Sequence, residues 1–306
     1  MKYIFGPVPS RRLGLSLGID ILPKKTCNMN CIYCEIGKTD KVTNEVKSYS
    51  SWKDIFNELK NYLKNRKNQI DCITFTASGE PTLHKDLNKL IKATKQITKK
   101  PIIILTNSSL VNNKEVFSSL IEANLVLPSL DAATEKCFKK INRPHPDLKI
   151  RDIIDGLSKL KKEMKGEMWL EILFVKGIND NKKELIALKE AISKIAPDKI
   201  QLNTVTRPPA EEFARPVSEN ELINIKEFLG NNAEIIVDFK AKILEGSQVI
   251  IESEILDTLK RRPLSIEDFN ELFGNIKNSQ KIIDKLLSNR KINKKIIQNK
   301  TYFCLT

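Results

Sequence analysis

Leu15-Ser-Leu-Gly-Ile-Asp-Ile-Leu22 and, one proline later, Lys24-Lys-Thr-Cys27-Asn-Met-Asn-Cys31-Ile-Tyr-Cys34-Glu-Ile-Gly-Lys-Thr39 decide how this chain is read. The first segment is a short apolar run ended by Pro23, the pattern of a buried strand. The second places three cysteines within eight residues, at spacings of four and three, directly beyond that strand. Thiolates so close in sequence can converge on one centre, as the loops that bind iron–sulfur clusters require. Three ligands for a four-iron cluster leave one iron without a protein thiolate and open to an outside ligand, which is how a catalytic metal site differs from a closed structural one. A zinc site completed by Cys72 or His84 is the alternative, although zinc ligands usually come in two spaced pairs. Cys72, Cys137 and Cys304 stand singly along the chain, a pattern that does not suit disulfide stapling.

Outward from this segment, apolar strands alternate with amphipathic helices up to about residue 245. Strands are expected at Leu15–Leu22, Ile73–Ala77, Ile102–Thr106, Leu125–Leu130, Trp169–Val175 and Ile200–Val205, with helices such as Ser51–Lys64, Asp86–Thr98, Ile150–Met164 and Asn181–Ile195 between them. Strand–helix alternation builds a parallel sheet with helices outside. Six repeats are too few for a closed eight-stranded barrel and enough for an open one, so the fold class is α/β, a partial (β/α)6 TIM-like barrel over residues 1–245. Residues 246–306 read as a small second domain. Glu252–Arg261 is helical, Pro263 and Leu264 break it, Ser265 can cap Ile266–Phe273, Gly274 closes that helix, a third helix runs from about Asn278 to Ser288, and Lys291–Leu305 forms a hairpin turning at Asn299 and Lys300. Three helices and a hairpin predict a winged helix-turn-helix.

CNMNCIYC resembles the CxxxCxxC signature of the radical SAM superfamily. The resemblance implies a [4Fe-4S] cluster on Cys27, Cys31 and Cys34 whose open iron chelates S-adenosylmethionine (SAM) and whose electron breaks a C–S bond to give a 5'-deoxyadenosyl radical. It places Tyr33 against the adenine. Ser78-Gly79-Glu80-Pro81 resembles the family's GGEP motif, with Ser78 in place of the first glycine, and implies backbone contacts to the SAM amino group. Thr106-Asn107-Ser108 resembles the TNG bordering the SAM site, Ser129-Leu130-Asp131 the SLD whose serine touches SAM, and Lys176–Asp180 a recurring KGxND turn. These motifs follow successive strands, where barrel enzymes carry their chemistry. The opening FGPVPSRRLGLSLGIDILP, read together with the cysteine motif, is also similar to a compact branch grouped with wybutosine-synthase-like iron–sulfur oxidoreductases.

Polar side chains inside strands are further candidates. Glu171 in WLEILFV and Asn203, with Gln201, in IQLNTV need partners if buried, and pointing into a lumen they would bind cofactor. Arg11 and Arg12 precede the first strand and suit a carboxylate or phosphate. Arg143 and His145, in a loop stiffened by Pro144 and Pro146, are candidate substrate contacts. His84 reads as a surface or capping residue and Cys137 as a structural thiol.

The chain carries 52 Lys and Arg against 38 Asp and Glu, a net charge of +14, which favours polyanions. Lys277, Lys281 and Lys285 would give the last helix a basic face for a nucleic-acid backbone. RNA is therefore the favoured partner. The competing readings are a peptide-modifying enzyme or activase, and a redox-sensing regulator that binds DNA. An electron donor such as ferredoxin or flavodoxin is implied. The start MKYIFGPVPSRR lacks the apolar core of a signal peptide, and no apolar run is long enough to span a bilayer, which predicts a cytoplasmic chain with no membrane partner.

Overall fold

The computed structural model describes residues 2–10, 12–65, 70–237, 252–259, 262–273, 279–297 and 300–306. Strands β1 (Ile4–Ser10), β2 (Gly14–Asp20), β3 (Cys72–Thr76), β4 (Ile102–Thr106), β5 (Leu125–Pro128), β6 (Glu167–Phe174), β7 (Lys199–Thr204) and β8 (Ala233–Ile235) form one sheet in that spatial order. β2 to β8 run parallel, while β1 pairs antiparallel with β2 and forms one edge. Helices α1 (Trp52–Asn65), α2 (Leu87–Ile97), α3 (Lys114–Ile121), α4 (Glu135–Ile141), α5 (Ile150–Glu163), α6 (Lys182–Ile195) and α7 (Glu219–Leu229) supply the crossovers. The result is the partial TIM-like barrel expected, with two strands more than the six repeats read from the sequence.

Both additions have a local reason. β1 is IFGPVPS, and prolines confine such a segment to a sheet edge, which is where it lies. It packs so tightly on β2 that a Cβ at Gly18 would stand 2.1 Å from the Phe5 ring, which a side chain there would have to displace. β8 has only three residues.

Residues of β3, β4 and β5 are almost all buried, as parallel strands covered on both faces must be. β6 instead alternates: Met168, Leu170, Ile172 and Phe174 are fully covered, while Trp169, Glu171 and Leu173 are half-buried on the opposite face. That period of two carries Glu171 to the inner face of the barrel. The helices are fixed at their starts. Asn181 caps α6 through Glu184 N, and the buried Glu184 carboxylate accepts from Ala133 N, Thr134 N and the Thr134 hydroxyl at the start of α4. An anion at a helix N-terminus satisfies donors the helix leaves open.

The remaining elements are α8 (Glu252–Leu259), β9 (Leu264–Ser265), α9 (Ile266–Phe273), α10 (Ser279–Ser288), β10 (Ile292–Ile297) and β11 (Lys300–Leu305). They share a core that includes Ile255, Leu264, Phe269, Ile283, Leu286 and Phe303. Leu264 and Ser265, expected only to break one helix and cap the next, also pair with Phe303 and Tyr302 as the third strand of a sheet ordered β10-β11-β9. Ser265 still caps, its hydroxyl accepting from Asp268 N at 2.9 Å. Gly274, Lys277, Asn278, Asn299 and the 245/246 boundary lie outside the described residues. This unit meets the barrel through the Tyr302 hydroxyl, which donates to Thr206 O at 2.5 Å, and through an Arg207–Asp268 ion pair. Among the described residues no helix is long and apolar enough to cross a membrane.

Candidate active site

The loop after β2 is pinned on three sides. Thr26 bridges Gly79, Cys27 bridges Val42 and Met29 bridges Pro144. A Cβ on Gly79 would lie 1.8 Å from the Thr26 carbonyl oxygen, so the glycine of SGEP is required by this contact. Each of the three thiols has a hydrogen-bond donor. Cys27 Sγ accepts from Met29 N at 3.4 Å and Asn107 Nδ2 at 3.7 Å, Cys31 Sγ from Asn142 Nδ2 at 3.4 Å, and Cys34 Sγ from Lys25 Nζ at 3.5 Å. Burial, reinforced by the Glu80 carboxylate, pushes the Cys27 thiol up to about 12, and burial also raises Cys31 well above its ordinary value. Desolvated thiols ringed by N–H donors suit a centre that displaces their protons and places negative charge on sulfur.

Cys72 and His84 are committed elsewhere. Cys72 donates to Leu13 O, while the His84 ring meets Ser50 O through Nε2 and accepts from Asp86 N at Nδ1. Among the described residues no three Cys, His, Asp or Glu side chains are grouped to hold one metal ion. With Cys72 and His84 bonded elsewhere, the zinc alternative lacks the fourth ligand expected of it, whereas an iron–sulfur cluster with one open iron needs only the loop's three thiolates. His84 caps the short 3₁₀ turn Pro81–Leu83 as expected, yet it is buried at 1% exposure rather than on the surface.

Beside the loop, Glu80 is 1% exposed and its carboxylate accepts from Thr82 N and Oγ1, Thr106 Oγ1 and Asn107 N, at 2.6–3.1 Å. It locks the end of β3 to the end of β4. Burial raises its pKa and the four donors pull it back. Ser78 gives both its N–H and its hydroxyl to Asp20, at 3.0 and 2.6 Å. Asn107 donates to Asn28 Oδ1 at 2.9 Å as well as to Cys27. Ser129, the residue after β5, bridges Glu171, and its carbonyl accepts from the Ser108 hydroxyl. Tyr33 donates to the buried Asp131 carboxylate, which also accepts from Asn142 Nδ2 at 2.8 Å and Leu173 N at 2.9 Å. Asn142 thus touches both Cys31 and Asp131. Its role and that of the Asp131 side chain escape a sequence reading; the signal available was a buried charge, the aspartate of SLD, in need of donors.

Inside the barrel, the Arg12 guanidinium reaches the Glu171 carboxylate and Gln201 Oε1, and Asn203 Nδ2 donates to the other Glu171 oxygen at 3.0 Å. Arg12 thus has an internal counter-ion, so its charge is already balanced. Arg12 and Asn203 line a cavity of about 290 Å³ that also meets Ser78, Arg207 and Asp268. Arg11 lies outside the described residues.

The sequence matches the radical SAM superfamily profile over residues 21–188, a span holding the cysteine loop and the ends of β3, β4 and β5. The chain belongs to the radical SAM superfamily. It is 34% identical over 311 residues to a UPF0026 protein of Methanocaldococcus jannaschii, covering 99% of this chain and 96% of that one. A Brachyspira hyodysenteriae protein named GTPase Obg is 40% identical over 303 residues, 97% of this chain but 44% of the other, so this chain spans less than half of that relative. In fold it is similar to a radical SAM methyltransferase from Sphaerobacter thermophilus, with a TM-score of 0.54 at 15% identity over 72% of this chain and 66% of that chain.

As a radical SAM enzyme the protein takes a [4Fe-4S] cluster and SAM as cofactors, and the donor-ringed thiols described above fit the cluster. Arg143 and His145 lie against the cysteine loop. Asn30 N donates to Asn142 O and Arg143 O, and His145 N donates to Asn28 O, while the Arg143 guanidinium holds Glu211 and His145 Nδ1 stands 3.4 Å from Asn44 Nδ2. The stiff NRPHP segment is thus a backing strip for the loop.

Proposed function

We propose that Cys27, Cys31 and Cys34 hold the cluster and that the protein modifies RNA by radical chemistry. Held by these residues, the cluster would supply the electron for reductive cleavage of SAM, from which the radical chemistry starts. Asn107, Asn142 and Lys25 donate to the three sulfurs, and Glu80 fixes the ends of β3 and β4 beside them. Tyr33, Ser78, Gly79, Asn107, Ser129, Glu171 and Asn203 border the SAM and substrate space in this reading. The observation that carries it is that all three thiols of one loop accept an N–H bond, two of them desolvated, at the end of a sheet with seven parallel strands.

RNA as substrate draws on the net charge of +14 and on the C-terminal unit. We read its order of helix, short strand, two helices and hairpin as a winged helix-turn-helix. The hairpin presents exposed Lys294, Lys295 and Lys300 beside Ile296, 74% exposed, whereas Lys285 of α10 is paired with Glu252. A duplex does not enter a cavity of about 290 Å³, so an RNA target would be single-stranded or turned out of its stack. The same basic surface suits an acidic electron donor such as a ferredoxin or flavodoxin.

The test is anaerobic reconstitution with iron and sulfide, then dithionite and SAM, with 5'-deoxyadenosine quantified. Cys27→Ala, Cys31→Ala and Cys34→Ala should each abolish product; its persistence in all three overturns the cysteine assignment. With the wild type, deuterium from labelled RNA should appear in 5'-deoxyadenosine. Transfer from peptide and not RNA moves the substrate to the peptide class, and a formed cluster without product moves the protein to a redox sensor.

A further inference from the structure

Arg207 follows β7 at the end of the barrel that carries the cysteine loop, and it binds two units at once. Its Nη1 donates to Glu35 Oε2 at 2.9 Å, and its Nη2 lies 3.6 Å from Asp268 Oδ2 in α9. Glu35 is the residue after Cys34. The Arg207 side chain is 14% exposed, and its Nε, buried, has no hydrogen-bond partner among the described residues. Its neighbour Thr206 accepts the Tyr302 hydroxyl of β11, so two consecutive residues hold the C-terminal unit. The turn on the other side is tight: Gly37 N donates to Cys34 O at 3.1 Å, and Lys25 Nζ reaches both the Gly37 carbonyl and the Cys34 thiol.

We propose that Arg207 is a positioning residue that makes docking of the C-terminal unit and placement of the Cys34–Gly37 turn one event. A planar guanidinium can serve two carboxylates only while both are held in its plane. If Asp268 withdraws, water enters beside Arg207 and screens the Glu35 pair, which weakens as it becomes exposed. If Glu35 lets go, Arg207 can turn away from Asp268, whose Oδ2 still accepts from Ser265 N at 3.2 Å, and one tie between the two units is lost. The coupling is reciprocal, as any linkage between two sites must be. A ligand that engages the C-terminal unit and pulls it from the barrel mouth would therefore disturb the segment carrying the third cysteine, and loading the loop would tighten the unit. The inference needs neither the RNA reading nor the identity of the substrate.

The experiment is amide hydrogen exchange on the full-length apoprotein, which separates it from any failure of the proposed reaction. Asp268→Asn should raise exchange at Gly37 as well as in β9 and β11, by about fivefold or more. Glu35→Gln should do the reverse, raising exchange in β9 and β11 although it lies in the other unit. The double variant should show less than the product of the two single effects, because one guanidinium mediates both. Arg207→Lys, which keeps the charge without the fork, should restore neither effect fully. A second readout is the electron paramagnetic resonance spectrum of the reduced, reconstituted cluster, which should change in Asp268→Asn, a residue that does not touch the loop. Effects confined to the mutated residue's own unit, or a double variant equal to the product of the singles, overturn the proposal. Should Arg207→Lys fail to fold, the Glu35 and Asp268 pair still decides it.

Discussion

Glu80, just beyond β3, and Glu171, in the middle of β6, stand on two walls of one barrel, and their surroundings differ in kind. Glu80 is 1% exposed and meets four neutral donors from three residues of its own wall. Glu171 is 18% exposed and balances the Arg12 guanidinium, which comes from the turn before β2, and an amide from β7. The first carboxylate is used up in joining two strand ends. The second crosses the lumen and keeps an edge towards it. A glutamate in a strand–helix barrel can thus be a strut or a lining group, and only its partners decide which.

The largest effect belongs to the strut. In Glu80→Gln one acceptor oxygen becomes an NH2 group facing an N–H or O–H that can no longer be accepted, and a buried unsatisfied donor costs about 1–3 kcal/mol. We expect a loss of about 3 kcal/mol in denaturant unfolding of the apoprotein, with SAM binding weakened in parallel. A loss below about 1 kcal/mol would erase the contrast between the two walls.

Glu171→Gln should cost less, about 1 kcal/mol, because both partners of the ion pair keep some contact with water and the amide can still accept from Asn203. Arg12→Gln should cost about the same, and the double variant should be less destabilised than the sum, giving a coupling of about 1 kcal/mol in a double-mutant cycle. Strict additivity would mean that Arg12 does not depend on Glu171 and is available to a substrate anion. Substrate KM should respond to Glu171→Gln more than to a change of equal stability elsewhere, since its partners Arg12 and Asn203 line the cavity.

The same contrast explains what the sequence discloses. β4 has the bounds its apolar run predicts, and β2, β3, β5, β6 and β7 depart by only one or two residues at either end, because a buried parallel strand is written in consecutive residues. The cysteine loop and the SGEP glycine are legible for the same reason. Arg12 and Glu171 are 159 residues apart, Asn142 and Cys31 are 111 apart, and Arg207 and Glu35 are 172 apart. No local period encodes such pairs; they follow from closing the barrel. β1 hid behind Pro7 and Pro9, and β8 behind its three residues.

The smallest effect sharpens the picture of the Glu80 wall. His84, four residues on, is neutral by construction: Nδ1 accepts from Asp86 N at 3.2 Å, so Nε2 carries the proton and meets Ser50 O at 3.0 Å. Burial holds its pKa below the usual histidine value. A second ring proton would point at the Asp86 N–H. The unfolded chain binds a proton near pH 6.5 and the folded one resists it, so the folded state's stability is full above that value and falls as pH drops through it towards the folded pKa. Between pH 7.5 and pH 5.5 the wild type should therefore lose about 2 °C more in Tm than His84→Gln, which cannot titrate. Equal losses would mean that the ring accommodates its second proton, and that the turn after Glu80 is less rigid than its hydrogen bonds imply.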